Sequence, residues 1–155
     1  MAAEIIPNLW IGDINSANDT KFLCENNVTV IINCTVKYGW CKLPYPVTRI
    51  RVPINDRGIQ EDFDMMYTYM NKVIPVIYLY LSAGRTVLIH CYAGRHRSVC
   101  IVLGFIMKYA EMDLQEAIDA LQNKWPRVGM NFLHSLSKYS VNLHKAPVEA
   151  KTPEI

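Results

Sequence analysis

The chain has 155 residues, of which 51% are hydrophobic and 19% charged. That is the size of one domain with an ample core, and it argues against a disordered chain. Sixteen basic against fourteen acidic side chains leave a net charge of +2, too mild to mark a nucleic-acid or membrane binder by charge alone.

The first residues, "MAAEIIPNLW", lack the basic and long apolar regions of a signal peptide. "LWIG" (9–12) reads as a short strand, and 17–26, "ANDTKFLCEN", as a short helix. "VTVIINCT" (28–35) is β-branched and mostly apolar, the mark of a strand buried on both faces. A loop with a glycine and two prolines (36–46) precedes an alternating strand, "VTRIRVPI" (47–54), and a turn at 55–60. A helical pattern runs from Asp62 to about Leu81, with a kink expected at Pro75. The apolar stretch inside it is too short to span a bilayer. "TVLIH" (86–90) is again a buried strand, and helices follow near 98–110, 113–123 and 130–143. The polar tail 146–155 is expected to fray, leaving one domain over 1–145. Strands and helices alternate and then helices finish the chain. This predicts an α/β or α+β domain with one central sheet covered on both faces.

Five cysteines stand at 24, 34, 41, 91 and 100. Their number is odd, no C-x-x-C pair occurs and no zinc-finger spacing is present. Reduced thiols in a cytosolic setting are the expectation.

Cys91 is placed differently from the rest. "HCYAGRHRS" (90–98) lies between a buried strand and the next helix, so Cys91 to Arg97 must form a tight strand-to-helix loop. Such a loop turns successive N–H groups inward at a helix N-terminus and makes an anion cradle from Tyr92, Ala93, Gly94, Arg95 and His96. Gly94 suits its sharpest point. N–H donors, a helix N-terminus and a nearby arginine favour the thiolate of Cys91. Arg97 offers a planar fork for two phosphate oxygens. Ser98 can donate to the sulfur, and His90 orders the loop. The plain alternative, a core cysteine beside a solvated arginine, does not account for Cys, Gly, Arg and Ser in this register.

H-C-x-x-G-x-x-R-S resembles the signature of the cysteine-dependent protein tyrosine phosphatase superfamily. The flanks, "IIPNLWIGDINSANDTKFLCENNVTVIINCT" and "DLQEAIDALQNKWPRVGMNFLHSL", are similar to those of its compact dual-specificity branch. The resemblance implies a single α/β domain with a twisted, mostly parallel sheet of about five strands and helices on both faces. It also implies a phosphomonoester hydrolase acting on phosphotyrosine and phosphoserine/phosphothreonine proteins through a phosphocysteine, with no cofactor or metal. The family takes its general acid from a loop upstream. "RVPINDRG" offers Asp56 there, whereas Glu61, Asp62 and Asp64 suit the first turn of the following helix. Asn33 matches a residue that buttresses the phosphate loop in relatives.

Three departures matter. His96 stands where Ser or Gly is usual, and is read either as a rim charge or as a solvated residue. Ser135 replaces a Gln that positions water. Arg95 occupies one of the two basic loop positions of phosphoinositide phosphatases, but Tyr92 fills the other. A phosphoinositide or RNA 5′-phosphatase, and a non-catalytic phosphopeptide-binding module, therefore remain as alternatives. Cys34 and Cys100 are read as core thiols, with a disulfide to an oxidised Cys91 as the alternative. A monomer without a membrane span is expected. So is a cytoplasmic location that leaves nuclear access open.

Overall fold

The computed structural model describes residues 1–145. The expected tail, 146–155, lies outside the described residues. In chain order the elements are β1 (Ala2–Ile6), β2 (Leu9–Gly12), α1 (Ile14–Ala17), α2 (Thr20–Glu25), β3 (Val28–Asn33) and β4 (Thr48–Arg51). There follow α3 (Gln60–Ser82), β5 (Thr86–His90), α4 (Arg97–Tyr109), α5 (Leu114–Lys124) and α6 (Leu133–Lys145).

The five strands form one sheet in the order β1-β2-β5-β3-β4. Only the β1–β2 pair is antiparallel; the other three pairings are parallel. This is the expected fold. The central position of β5 explains its composition: all five residues are buried, because strands flank both edges and elements cover both faces. Side chains alternate between the faces. Val87 and Ile89 join Val30 and Ile32 in the large core under α3–α6. Leu88 and Ile31 point the other way, into a smaller core with Leu23 of α2, bordered by Trp10, Trp40 and Leu43. Helix α4 lies deepest, with every residue from Ser98 to Met107 buried.

The structure corrects several expected elements, among them α6, which starts at Leu133 and not near 130. Strand β1 was not expected; it contributes a single buried side chain, Ile5, too little for a readable pattern. The helix expected over 17–26 is the shorter α2, Thr20–Glu25, and a separate one-turn helix, α1, precedes it. Asp13 opens α1 through a capping box with Ser16, and Asp19 caps α2 by accepting from Phe22 N–H. Strand β4 stops at Arg51, two residues before Pro53, which has no N–H for a ladder. Helix α3 begins at Gln60, two residues early, and runs on through Pro75.

Parallel strands bring their C-terminal ends to one edge. Gly12 and Asn33 both pair with His90, and Asn33 pairs with Arg51. The segments that follow these four residues therefore gather at one place, the usual ligand edge of a parallel α/β sheet.

Candidate active site

Cys91 follows the last residue of β5 directly, and Arg97 opens α4. Between them the loop is fastened from behind. The Tyr92 carbonyl accepts from Ile14 N–H at 2.9 Å, the Arg95 carbonyl from Gly129 N–H at 2.9 Å and the His96 carbonyl from Cys100 N–H at 3.0 Å. Arg127 Nη1 donates to the Ala93 carbonyl at 3.2 Å, and Trp125 Nε1 donates to the Gly94 carbonyl at 2.6 Å. His90 Nδ1 lies 3.2 Å from the Cys91 carbonyl. A carbonyl only accepts, so the Nδ1–H tautomer is required. Burial pushes the His90 imidazole down to about 4, which keeps it neutral. With six consecutive carbonyls held on the outer side, the peptide N–H groups are left to the other. None of those from Tyr92 to His96 donates to a protein acceptor among the described residues.

Gly94 is required twice. Its φ of 66° is in the left-handed region. A Cβ there would also sit 2.8 Å from both the Gly12 carbonyl oxygen and the Trp125 ring. Helix α4 has no side-chain N-cap bond, so its first N–H groups also face the loop's concavity.

The expected side chains converge here. Cys91 is 2% exposed, and its Sγ lies 3.2 Å from the Oγ of fully buried Ser98. Arg97 is fixed by Nη1 donating to the Ile54 carbonyl at 2.9 Å. Its Nε–H is buried and has no partner among the described residues, an unusual state for a cationic donor unless an anion completes it. Tyr92 and Arg95 are exposed, and the Tyr92 ring packs at 5.2 Å against Tyr38.

Asp56 reaches the loop from the segment after β4. Its Oδ2 lies 2.8 Å from His96 Nδ1, and its Oδ1 accepts from Asn131 Nδ2 at 3.0 Å. The neighbouring acids are engaged elsewhere. Asp62 accepts from Arg57 Nη2 at 2.6 Å, from Nε at 3.1 Å and from the Arg57 backbone N–H at 3.0 Å. The Arg57 guanidinium holds its carboxyl below the usual range. Asp64 accepts from Gln60.

One sequence expectation needs correction. The Asn33 side chain does not reach the 91–97 loop. It donates to the Tyr38 and Gly39 carbonyls and accepts from Thr35 N–H and Oγ1. It shapes its own loop and supports Cys91 only through the pairing of Asn33 with His90. Ser135 is buried and donates to the Phe63 carbonyl, so it binds α6 to α3. Cys34 and Cys100 are fully buried, and burial raises both thiols well above the ordinary range; Cys100 Sγ lies against Met70 Sδ.

Sequence reasoning missed Trp125, Arg127, Gly129 and Asn131. All come from the α5–α6 connection, more than 25 positions beyond the 91–97 loop; the first three hold that loop and Asn131 holds Asp56. Only Gly129, in a turn-like "PRVG", carried any local signal.

The model of the dual specificity phosphatase catalytic domain matches residues 9–142. A Dictyostelium discoideum MAP kinase phosphatase with leucine-rich repeats is 30% identical over 91% of this chain, which spans only 16% of that protein. Dual specificity protein phosphatase 1B of Arabidopsis thaliana is 27% identical over 91% of this chain and 83% of its own length. Among solved structures, a mouse putative dual specificity phosphatase complexed with zinc tungstate superposes with a TM-score of 0.85 at 22% identity. That match covers 99% of this chain and 93% of the other. The strand-to-helix loop around Cys91 and the domain-wide match agree, and the chain belongs to the dual specificity phosphatase catalytic-domain family.

Proposed function

We propose that this domain hydrolyses phosphomonoesters on proteins, at phosphotyrosine and at phosphoserine or phosphothreonine, through a phosphocysteine at Cys91. The observation that carries this reading is the outward fastening of all six carbonyls from Cys91 to His96. It leaves N–H groups, the Arg97 guanidinium and the α4 N-terminus around one buried thiol. A dianionic phosphoryl group matches that donor set in charge and shape.

In the first step the Cys91 sulfur attacks phosphorus. The S–P bond forms, the P–O ester bond breaks, and Asp56 supplies the proton taken by the departing oxygen. In the second step water attacks phosphorus, its proton passes to Asp56, and the thiolate leaves. The loop N–H groups and Arg97 stabilise the equatorial oxygens in both steps. Ser98, 3.2 Å from the sulfur, supports the leaving thiolate with a hydrogen bond. Exposed Tyr92, packed against half-buried Tyr38, borders the loop and suits an aromatic phosphoester. Tyr92 also puts a neutral ring where a phosphoinositide reading calls for a cation.

The five cysteines are all free thiols, in keeping with a cytoplasmic location. No helix among the described residues is long and apolar enough to cross a membrane. A monomer is the proposed state.

The test compares phosphate release from phosphotyrosine and phosphothreonine peptides, phosphoinositides and 5′-triphosphate RNA, together with acid-quenched capture of the phosphoenzyme. Phosphopeptide turnover with a trapped label on Cys91 is expected. Cys91→Ser should lower kcat by about 10⁴-fold or more and still bind phosphopeptide. Activity within tenfold of wild type removes Cys91 from this role, and preferred release from lipid or RNA overturns the substrate assignment.

A further inference from the structure

His96 has no part in the reaction just described, yet it is placed with care. Its ring nitrogen Nδ1 is 2.8 Å from Asp56 Oδ2, and the two side chains are 23% and 21% exposed. The ring is held on its other edge: a Cβ on Gly129 would overlap its Cδ2 and Nε2 atoms. Gly129 is in turn tied to the neighbouring Arg95 carbonyl. Asn131 occupies the second oxygen of Asp56. The carboxyl therefore has one donor on each oxygen, and only His96 among them can carry a titratable proton.

The other charged groups nearby bond neither Asp56 nor His96 among the described residues. Arg57, adjacent to Asp56 in sequence, turns to Asp62 and Glu61. Arg127, on the α5–α6 connection, pairs with Asp13. Arg97 bonds the Ile54 carbonyl, and Arg95 is exposed. Cys91 faces Ser98.

We propose that His96 is a positioning residue and proton partner for Asp56. It holds the carboxyl at the phosphoryl loop and shares with it the one proton that the leaving oxygen takes. The inference rests on Asp56 being the general acid. Before the first step, the pair carries one proton between Nδ1 and Oδ2. As the S–P bond forms and the P–O bond breaks, that proton passes to the leaving oxygen, and a neutral imidazole and a carboxylate remain. In the second step the attacking water returns a proton to the pair. Atoms and charge balance over the cycle with no further reagent. A lone carboxylic acid ordinarily keeps its proton only up to about pH 4, whereas an imidazole beside a carboxylate keeps one into the neutral range. The 2.8 Å contact between Nδ1 and Oδ2 gives the carboxyl a second group that can hold the proton it must deliver.

The test is the pH dependence of kcat/KM, which reports groups in the free enzyme, on a phosphotyrosine peptide. His96→Asn keeps an amide donor close to the position of Nδ1 but cannot carry the titratable proton. The high-pH limb of its profile should move to lower pH by about one unit or more, with activity recovering toward the wild-type value on the acid side. His96→Ala should show the same displaced limb with a lower maximum, since the carboxyl also loses its anchor. A His96→Asn limb that superimposes on the wild type overturns the proposal. Asp56→Asn separates this from the underlying reading. If it abolishes the limb while His96→Asn leaves it in place, the acid stands and His96 is only a spacer. If it leaves the limb unmoved, Asp56 is not the acid, and the role of His96 falls with it.

Discussion

The loop from Cys91 to Arg97 and the turn from Val52 to Ile59 face each other across the site. They are held in opposite ways. The loop is bound through its backbone: six carbonyls, each with its own donor, drawn from β5, α4, the start of α1 and the α5–α6 connection. The turn makes few backbone bonds. Val52 N–H reaches the Asn33 carbonyl and Ile54 N–H the Val52 carbonyl, after which side chains take over, with Asp56 on His96 and Asn131 and Arg57 on Asp62. In the proposed reaction, a surface that binds the same anion in both steps gains from rigid dipoles fixed before the substrate arrives. A proton donor needs only one atom in place, and side-chain bonds suffice for that.

That contrast is broken most sharply at Asp56. If the turn exists to present one proton, Asp56→Asn should lower kcat with phosphoserine or phosphothreonine peptides by the order of 10²–10⁴. An alkoxide leaving group needs that proton, whereas nitrophenolate hardly does, so the loss with p-nitrophenyl phosphate should be clearly smaller. KM should change little, because the interaction belongs to the transition state. Equal losses on both substrates would show that the turn shapes the binding surface as well.

The same contrast explains what the sequence discloses. The chemistry of the loop is local. Cys91, Gly94, Arg97 and Ser98 lie within eight positions between a buried strand and a helix, so their register can be read directly. The fold follows from the mostly apolar, buried β3 and β5, whose burial on both faces demands covering layers on each. The anchors of the loop are not local. Trp125, Arg127 and Gly129 meet it only after α4 and α5 have turned back, and nothing in "KWPRVG" marks an indole for a particular carbonyl. Asn33 misleads for a related reason. A strand-terminal amide is equally able to bond either adjoining loop, and here the 35–39 segment lies nearer. His96 could be seen as unusual, but its meaning depends on an aspartate 40 positions away.

The loop's dependence on distant anchors is testable at Trp125. Trp125→Phe keeps most of the buried ring and removes the Nε1 donor, leaving the Gly94 carbonyl without its 2.6 Å bond. An unpaired buried acceptor costs about 1–3 kcal/mol, to be read as a lower midpoint in denaturant. The rate should fall less than in Asp56→Asn, because five other carbonyls of the loop stay fastened. An unchanged midpoint would mean that the backbone fastening is redundant.

The smallest kinetic effect is expected at Asp62, six positions from Asp56, and it tests whether two carboxylates in one neighbourhood have separate tasks. Asp62 is buried and takes three bonds from Arg57, which fixes the far side of the turn to the first turn of α3. It makes no hydrogen bond to the loop or to Asp56 among the described residues. Asp62→Asn should therefore leave kcat within about threefold while costing stability by roughly 1.5–3 kcal/mol, the range for bonds to a charged group. The pH dependence has a definite sign. Arg57 lowers the Asp62 carboxyl in the folded protein, so the unfolded chain binds its proton first as pH falls. The stabilisation is complete above about pH 4, the ordinary range of an unfolded aspartate, and is lost progressively below it. The stability gap between wild type and Asp62→Asn should accordingly be widest at neutral pH and close in acid. A gap that stays constant down to pH 3 would mean that packing of the side chain, and not its charge on Arg57, holds the turn. A rate loss matching that of Asp56→Asn would instead reassign the proton donor.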